Sequence, residues 1–199
     1  MTRPADQAQA GATLVVVLVM LVIVMLLGSS AAQIALQGEK MSRNDRDRQV
    51  AFQAAEAALR DAEIDLQNSK SSGSRSSFFS SQSQLGFPGP EDAVCGTTGN
   101  SQGLCRDDPK PAWLQVDFLE TDESSAQSVP YGKFTGEDFP TVDGTLPARK
   151  PRYIIESKKY NLPGASADSA NYFYRITAVG FGLRDSTRVM LQTFYRKED

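Results

Sequence analysis

Histidine is absent from the 199 residues, cysteine occurs only twice and tryptophan once. Without histidine the chain cannot build Ser-His-Asp or Cys-His nucleophile systems or His-ligated zinc and haem. It also lacks the side chain that most often serves as a general base near neutral pH. No serine reads as a nucleophile, and no S-x-x-K run occurs. Charge of one sign is missing too: 21 Lys/Arg stand against 24 Asp/Glu, for a net charge of −3. The two signs are interspersed and form no basic stripe, which excludes a nucleic-acid footprint. The acidic positions Glu137, Asp138 and Asp143, the last followed by Gly144, lack the D-x-D-x-D-G order of a calcium loop and read as a solvated turn, and Glu120, Asp122 and Glu123 read as a solvated loop. Gly180-Phe181-Gly182 reads as a strand end, because a phosphate cradle needs a helix start after it. The expectation is a non-enzymatic chain without metal or cofactor.

What the sequence does have is one long apolar run, LVVVLVMLVIVMLL over residues 14–27. With its small flanking residues it reaches the roughly 20 positions needed to cross a bilayer. A helical pattern then continues to about Gln67, some ten turns at 3.6 residues each. An alternative is a cleaved signal peptide, with Arg3 as its basic end and Ser29-Ser30-Ala31 as its cut site. A removed segment has no reason to stay in phase with the helix behind it, so a retained anchor is favoured. Arg3 and the amino terminus outweigh Asp6, which holds that end in the cytoplasm and makes everything from Glu39 onward periplasmic or extracellular.

Beyond Glu39 the helix becomes amphipathic. Ala51, Phe52, Ala55, Ala58, Leu59, Ala62 and Leu66 form an apolar stripe, and Glu56, Arg60, Asp61 and Glu63 read as the opposite, charged face. Gly28 to Ser30 and Gly38 are places where the helix could bend. Serine-rich residues 69–84 read as a loop that Phe78 and Phe79 could anchor, and glycine and proline are dense over 86–111. Residues 113–119, 129–134, 152–157, 172–181 and 187–195 read as strands, the last two joined by a turn over 182–186. The fold class is therefore α+β: a long N-terminal helix with an antiparallel sheet of three to five strands on its second half. Cys95 and Cys105, ten positions apart outside a membrane, read as a disulfide, with two free thiols as the alternative.

Four stretches carry a family resemblance: AGATLVVVLVMLVIVMLLGSSAA, RNDRDRQVAFQAAEAALRDAE, CGTTGNSQGLC followed by Trp113, and the terminal YRITAVGFGLRDSTRVMLQTFYR. Together they resemble the PilX class of type IV pilus minor pilins, and residues 119–165 carry no match. The resemblance implies a prepilin leader over 1–11, a transmembrane half-helix over 12–34, a periplasmic half-helix over 35–68 and a β-rich pilin domain over 69–199. It implies that a prepilin peptidase cuts after Gly11 and that Ala12 becomes an N-methylated terminus. It further implies that the subunit leaves the inner membrane, through the assembly platform, for an extracellular fibre that serves twitching motility and cell adhesion. Implied partners are other minor pilins, the major pilin and a tip adhesin. Most pilins place a glutamate where this chain has Val16; its absence resembles subunits placed at a fibre tip. Two other readings stay open: a type II secretion pseudopilin, and an exported soluble binding protein released at Ser29–Ala31.

Overall fold

The computed structural model describes residues 12–67, 75–122, 124–142, 145–160 and 171–197. One helix, α1, runs Ala12–Gln67 over 56 residues. By its contacts the chain divides into two compact units, residues 1–45 and 46–199.

The described part of the first unit is all α1. From Thr13 onward every side chain in it is exposed, including the whole apolar run. The helix does not break at its glycines. Adjacent to Gly28, the Ser29 and Ser30 hydroxyls donate to the Leu26 carbonyl at 2.9 Å each. That bond hides two polar groups inside an apolar segment without interrupting the ladder.

The second unit contains the rest of α1 and a five-stranded sheet: β1 Leu104–Cys105, β2 Val129–Pro130, β3 Arg152–Tyr160, β4 Asn171–Phe181 and β5 Arg188–Tyr195. The order is β1-β3-β4-β5, with β2 also on β3. β3–β4 and β4–β5 are antiparallel, with Ile155 opposite Ile176 and Ala178 opposite Leu191. β1 lies parallel to β3, Leu104 opposite Ile155, so the sheet is mixed.

The strand period of two divides β3 and β4 between two cores. Tyr153, Ile155, Tyr174, Ile176 and Ala178 meet Ala58, Ala62 and Leu66 of α1. Ile154, Val179 and Phe181 pack on the other side with Cys95, Cys105, Ala112, Val116 and Phe118. Phe79 is buried in the first core; its ring, Phe87 and Tyr174 lie 5.4–6.1 Å apart. The Tyr174 hydroxyl donates to the Ser80 carbonyl at 2.8 Å, which pins the serine-rich segment to β4.

Three readings of the sequence are corrected. Residues 113–119 are no strand. A 3-10 turn forms over Ala112–Leu114, where Leu114 N donates to Pro111 O at 3.0 Å and Gln115 N to Ala112 O at 2.8 Å. The alternation was real, since Val116 and Phe118 are buried, but local turns satisfy the backbone instead of a ladder. Phe52 is 42% exposed, and Ala54 takes its place in the stripe. Asp61 belongs to the buried face of α1 and not to the charged one.

Candidate functional site

The buried stripe of the second half of α1 runs Asp47, Ala51, Ala54, Ala55, Ala58, Asp61, Ala62, Asp65, Leu66. Its three- and four-residue steps keep it on one face. Alanine lets the sheet come close. Gly180 in β4 sits where any Cβ would lie 2.1 Å from the Ala51 carbonyl oxygen and 2.2 Å from the Ala55 nitrogen.

Each aspartate on the stripe holds a different part of the unit. Asp47 accepts from Leu183 N at 2.6 Å, from Arg184 Nε at 2.9 Å and from Thr187 Oγ1 at 2.7 Å, and so fixes the β4–β5 turn. Burial pushes the Asp47 carboxyl up, but the bonds from Thr187, Arg184 and Leu183 outweigh it and leave it below the usual range. Asp61 accepts from Gly132 N at 2.8 Å and from the Thr135 hydroxyl. Here burial wins over those bonds, and the carboxyl lies above the ordinary value. Asp65 accepts from Arg75 Nη2 at 2.7 Å and Nε at 3.0 Å, and from the Tyr153 hydroxyl at 2.9 Å. Burial, and then the Asp65 charge, holds the Tyr153 hydroxyl well above its ordinary value.

Arg75 is the hub of the unit. Its side chain is wholly buried, as is that of Asp65. Its Nη1 donates to the carbonyls of Asn100, at 3.0 Å, and Gln102, and its guanidinium lies 3.8 Å from the centre of the Phe134 ring. The buried Gln102 amide donates onward to the Ala126 and Ser128 carbonyls at 3.0 and 3.1 Å and accepts from Lys133 Nζ. One connected network thus ties α1 to the cysteine loop and to the segment leading into β2.

That loop is closed by a disulfide between Cys95 and Cys105, and both cysteines are fully buried. Its arms are zipped by Gly96 N to Leu104 O at 3.0 Å and Arg106 N to Val94 O at 3.0 Å. Closing a loop of this size contributes about 2.8 kcal/mol in the chain-entropy account.

Ala12 and Val16 lie in the first unit. Ala12 is the first residue of α1; Gly11 falls outside the described residues. Val16 is exposed, and the first turn of α1 carries no acidic residue. α1 contains a stretch long and apolar enough to cross a membrane, none of it buried within the chain. Asp143 and Gly144 lie outside the described residues; among those described, no cluster of three His, Cys, Asp or Glu could hold a metal.

Gly99-Asn100-Ser101-Gln102-Gly103 has the G-x-S-x-G spacing of a nucleophile elbow. It lies on a 3-10 turn in the disulfide loop and not between a strand and a helix, and the Ser101 hydroxyl donates to the Thr98 carbonyl at 2.8 Å. No histidine exists in the chain to take its proton, and the serine hydroxyl bonds back within its own turn.

Two family models match this chain. PilX N-terminal covers residues 10–60, and the C-terminal part of type IV pilus assembly protein PilX covers residues 91–197, more than half of the chain. No curated protein and no solved structure gives a significant match.

Proposed function

Because the chain belongs to the PilX family of type IV pilus assembly proteins, we propose that it is a minor pilin that helps initiate the fibre from its tip. Its role is structural. Before assembly it is a single-pass inner-membrane protein with a cytoplasmic amino terminus; afterwards it is part of an extracellular fibre. Its partners are other minor pilins, the major pilin, a tip adhesin, the prepilin peptidase and the inner-membrane assembly platform.

The observation that carries this reading is α1 itself. It passes without a break from the exposed apolar run, through Gly28, Ser29 and Ser30, to the alanine stripe buried under the sheet. A segment made to be cut away at Ser29–Ala31 would gain nothing from that continuity. We assign cleavage to the bond between Gly11 and Ala12, and methylation to the Ala12 amine. Mass spectrometry of the mature chain tests this: an amino terminus at Ala12 is expected, and Gly11→Val should leave the leader attached. A mature chain beginning at Ala32 would transfer the protein to the exported, soluble class.

The tip assignment rests on Val16. A carboxylate on this helix costs about 2.5–3.5 kcal/mol at the centre of a bilayer, and a partner amine on the subunit ahead would offset that cost. A subunit with nothing ahead of it has no use for the carboxylate. Val16→Glu is therefore expected to give no more of this protein in sheared fibres at matched expression, and less if the uncompensated charge impairs insertion. A rise in copies per fibre would place the subunit in the shaft. Loss of secretion with intact pili in a strain lacking the protein would favour the pseudopilin reading.

A further inference from the structure

β5 is an edge strand. It pairs with β4 along one side, and among the described residues nothing pairs with the other. Antiparallel pairing uses the backbone N–H and C=O groups of every second residue, so the rest point outward as a row of unclaimed donors and acceptors. Folded chains commonly blunt such an edge with proline, a bulge or a very short strand. β5 has none of these. Its run RVMLQTFY holds no proline or glycine and pairs with 174–181 without a slip in register. The strand is also held at both ends. Just before it the Thr187 hydroxyl donates to Asp47 at 2.7 Å; at its end Tyr195 packs on the first core, and just beyond it Lys197 Nζ donates to the Ser76 carbonyl at 2.9 Å. An incoming strand therefore meets an edge that is already in shape, and little freedom of β5 is lost on binding.

The side chains beside that edge form a pattern of their own. Met190 stands opposite Val179, which belongs to the second core, so Met190 faces away from α1. By the strand period Arg188, Gln192, Phe194 and Arg196 share that face, and all are exposed. The cysteine loop and residues 112–118 cover this side of β3 and β4 and stop short of β5. Val179 is buried, while Met190 is 41% and Phe194 66% exposed. The open face of β5 thus carries a cation at each end and apolar groups between. Neither arginine has a carboxylate partner among the described residues; Arg196 only lies over the Tyr160 ring, 5.7 Å from its centre.

That pattern decides the occupant. A second copy of β5 laid antiparallel along the edge would set arginine against arginine at both ends, and a parallel copy in register would do the same. Like charges directly opposite destabilise a strand pair. We propose that β5 is a docking edge for an extended segment of a different polypeptide, added as a further strand, with acidic residues toward its two ends and apolar residues at alternate positions between them. Its backbone pairs with the outward row of β5. Its acidic side chains lie beside Arg188 and Arg196, and its apolar ones beside Met190 and Phe194. The edge lies within the second unit and does not depend on the place of the chain in a fibre.

The test uses the full chain in detergent and a fluorescein-labelled peptide amide, Glu-Thr-Ile-Thr-Thr-Thr-Ile-Thr-Glu, whose sequence is the same in both directions, read by anisotropy. It is expected to bind at least about tenfold more tightly than the same peptide with lysine at both ends, with a margin that shrinks as salt is raised. Arg188→Glu combined with Arg196→Glu should reverse the preference, which a loss of structure does not do. Lys159→Glu, on an exposed residue of β3 two strands from the edge, should leave it unchanged. Hydrogen exchange separates strand addition from docking on the face alone: alternate amides within 188–195 should exchange at least about tenfold more slowly once the peptide is bound. Binding without that protection, equal binding of the two peptides, no binding of either at millimolar concentration, or a preference that survives the double arginine variant would overturn the proposal. So would protection of the same amides that grows with protein concentration in the absence of peptide, because it would assign the edge to a second copy.

Discussion

Arg75→Met is expected to cost the second unit about 3–5 kcal/mol, because it leaves Asp65 as a buried charge whose guanidinium partner is gone. Set against a total stability of about 5–15 kcal/mol, that is enough to leave little folded protein at growth temperature. The loss extends beyond the ion pair, since the Asn100 and Gln102 carbonyls lose their donor and the Phe134 ring loses the cation stacked on it. The measurement is the urea midpoint of the full chain in detergent, beside protein level in cells. A second variant separates charge from packing. Asp65→Leu combined with Arg75→Met removes both charges and should recover part of the loss. It should not recover all of it, because Tyr153 then has no acceptor for its buried hydroxyl. A midpoint for Arg75→Met equal to that of the unchanged chain would refute the hub.

Gly180→Ala is expected to be comparably damaging for a different reason. The added methyl would lie 2.1 Å from the Ala51 carbonyl oxygen and 2.2 Å from the Ala55 nitrogen, and both are backbone atoms of α1. No rotamer change relieves such a contact, so the helix must lift off β4. Lifting it strains the neighbouring alanine contacts and the Asp47 bonds to the 183–187 turn. Overpacking of this kind costs about 1–3 kcal/mol where side chains can give way, and more where they cannot. Gly38→Ala is the control: nothing lies within 4 Å of its added methyl, and the change should favour the helix by about 1 kcal/mol. Equal resistance of the two variants to protease would mean that the close approach does not constrain the fold.

The elements that sequence revealed are those whose signal is local. α1 announced itself through an apolar run and then a small-residue stripe, and β3, β4 and β5 through β-branched and aromatic residues about a turn. The sheet of five strands falls in the expected range, and Cys95 and Cys105 are joined. β1, two residues long, carries no periodicity to read, and of the strand read over 129–134 only Val129–Pro130 forms, because the chain turns at Tyr131. The parallel pairing of β1 with β3 depends on where the disulfide loop delivers Leu104. The aspartates of α1 were opaque for a physical reason. Hydropathy puts an aspartate on the solvent face, and it moves inside only when donors wait for it. Those donors lie far along the chain: Arg75 is 10 positions from Asp65, Thr135 is 74 from Asp61 and Thr187 is 140 from Asp47. A hint was available in their spacing, since 47, 61 and 65 share the phase of 51, 55, 58 and 62. The proposed processing at Gly11 and Ala12 and the proposed role of Val16 come from the family resemblance and not from a contact in the structure.

The distance between Asp47 and its partners also sets a clock. The polypeptide is made from its amino end, and 136 residues separate Asp47 from Leu183. At about 5–20 residues per second, that interval is on the order of ten seconds. Throughout it the alanine stripe exists without the strand that covers it, since Gly180 and its neighbours in β4 come almost as late. Every newly made copy therefore passes through a stage in which a finished helix offers its inner face, three carboxylates included, to whatever is nearby. The β4–β5 hairpin ends that stage.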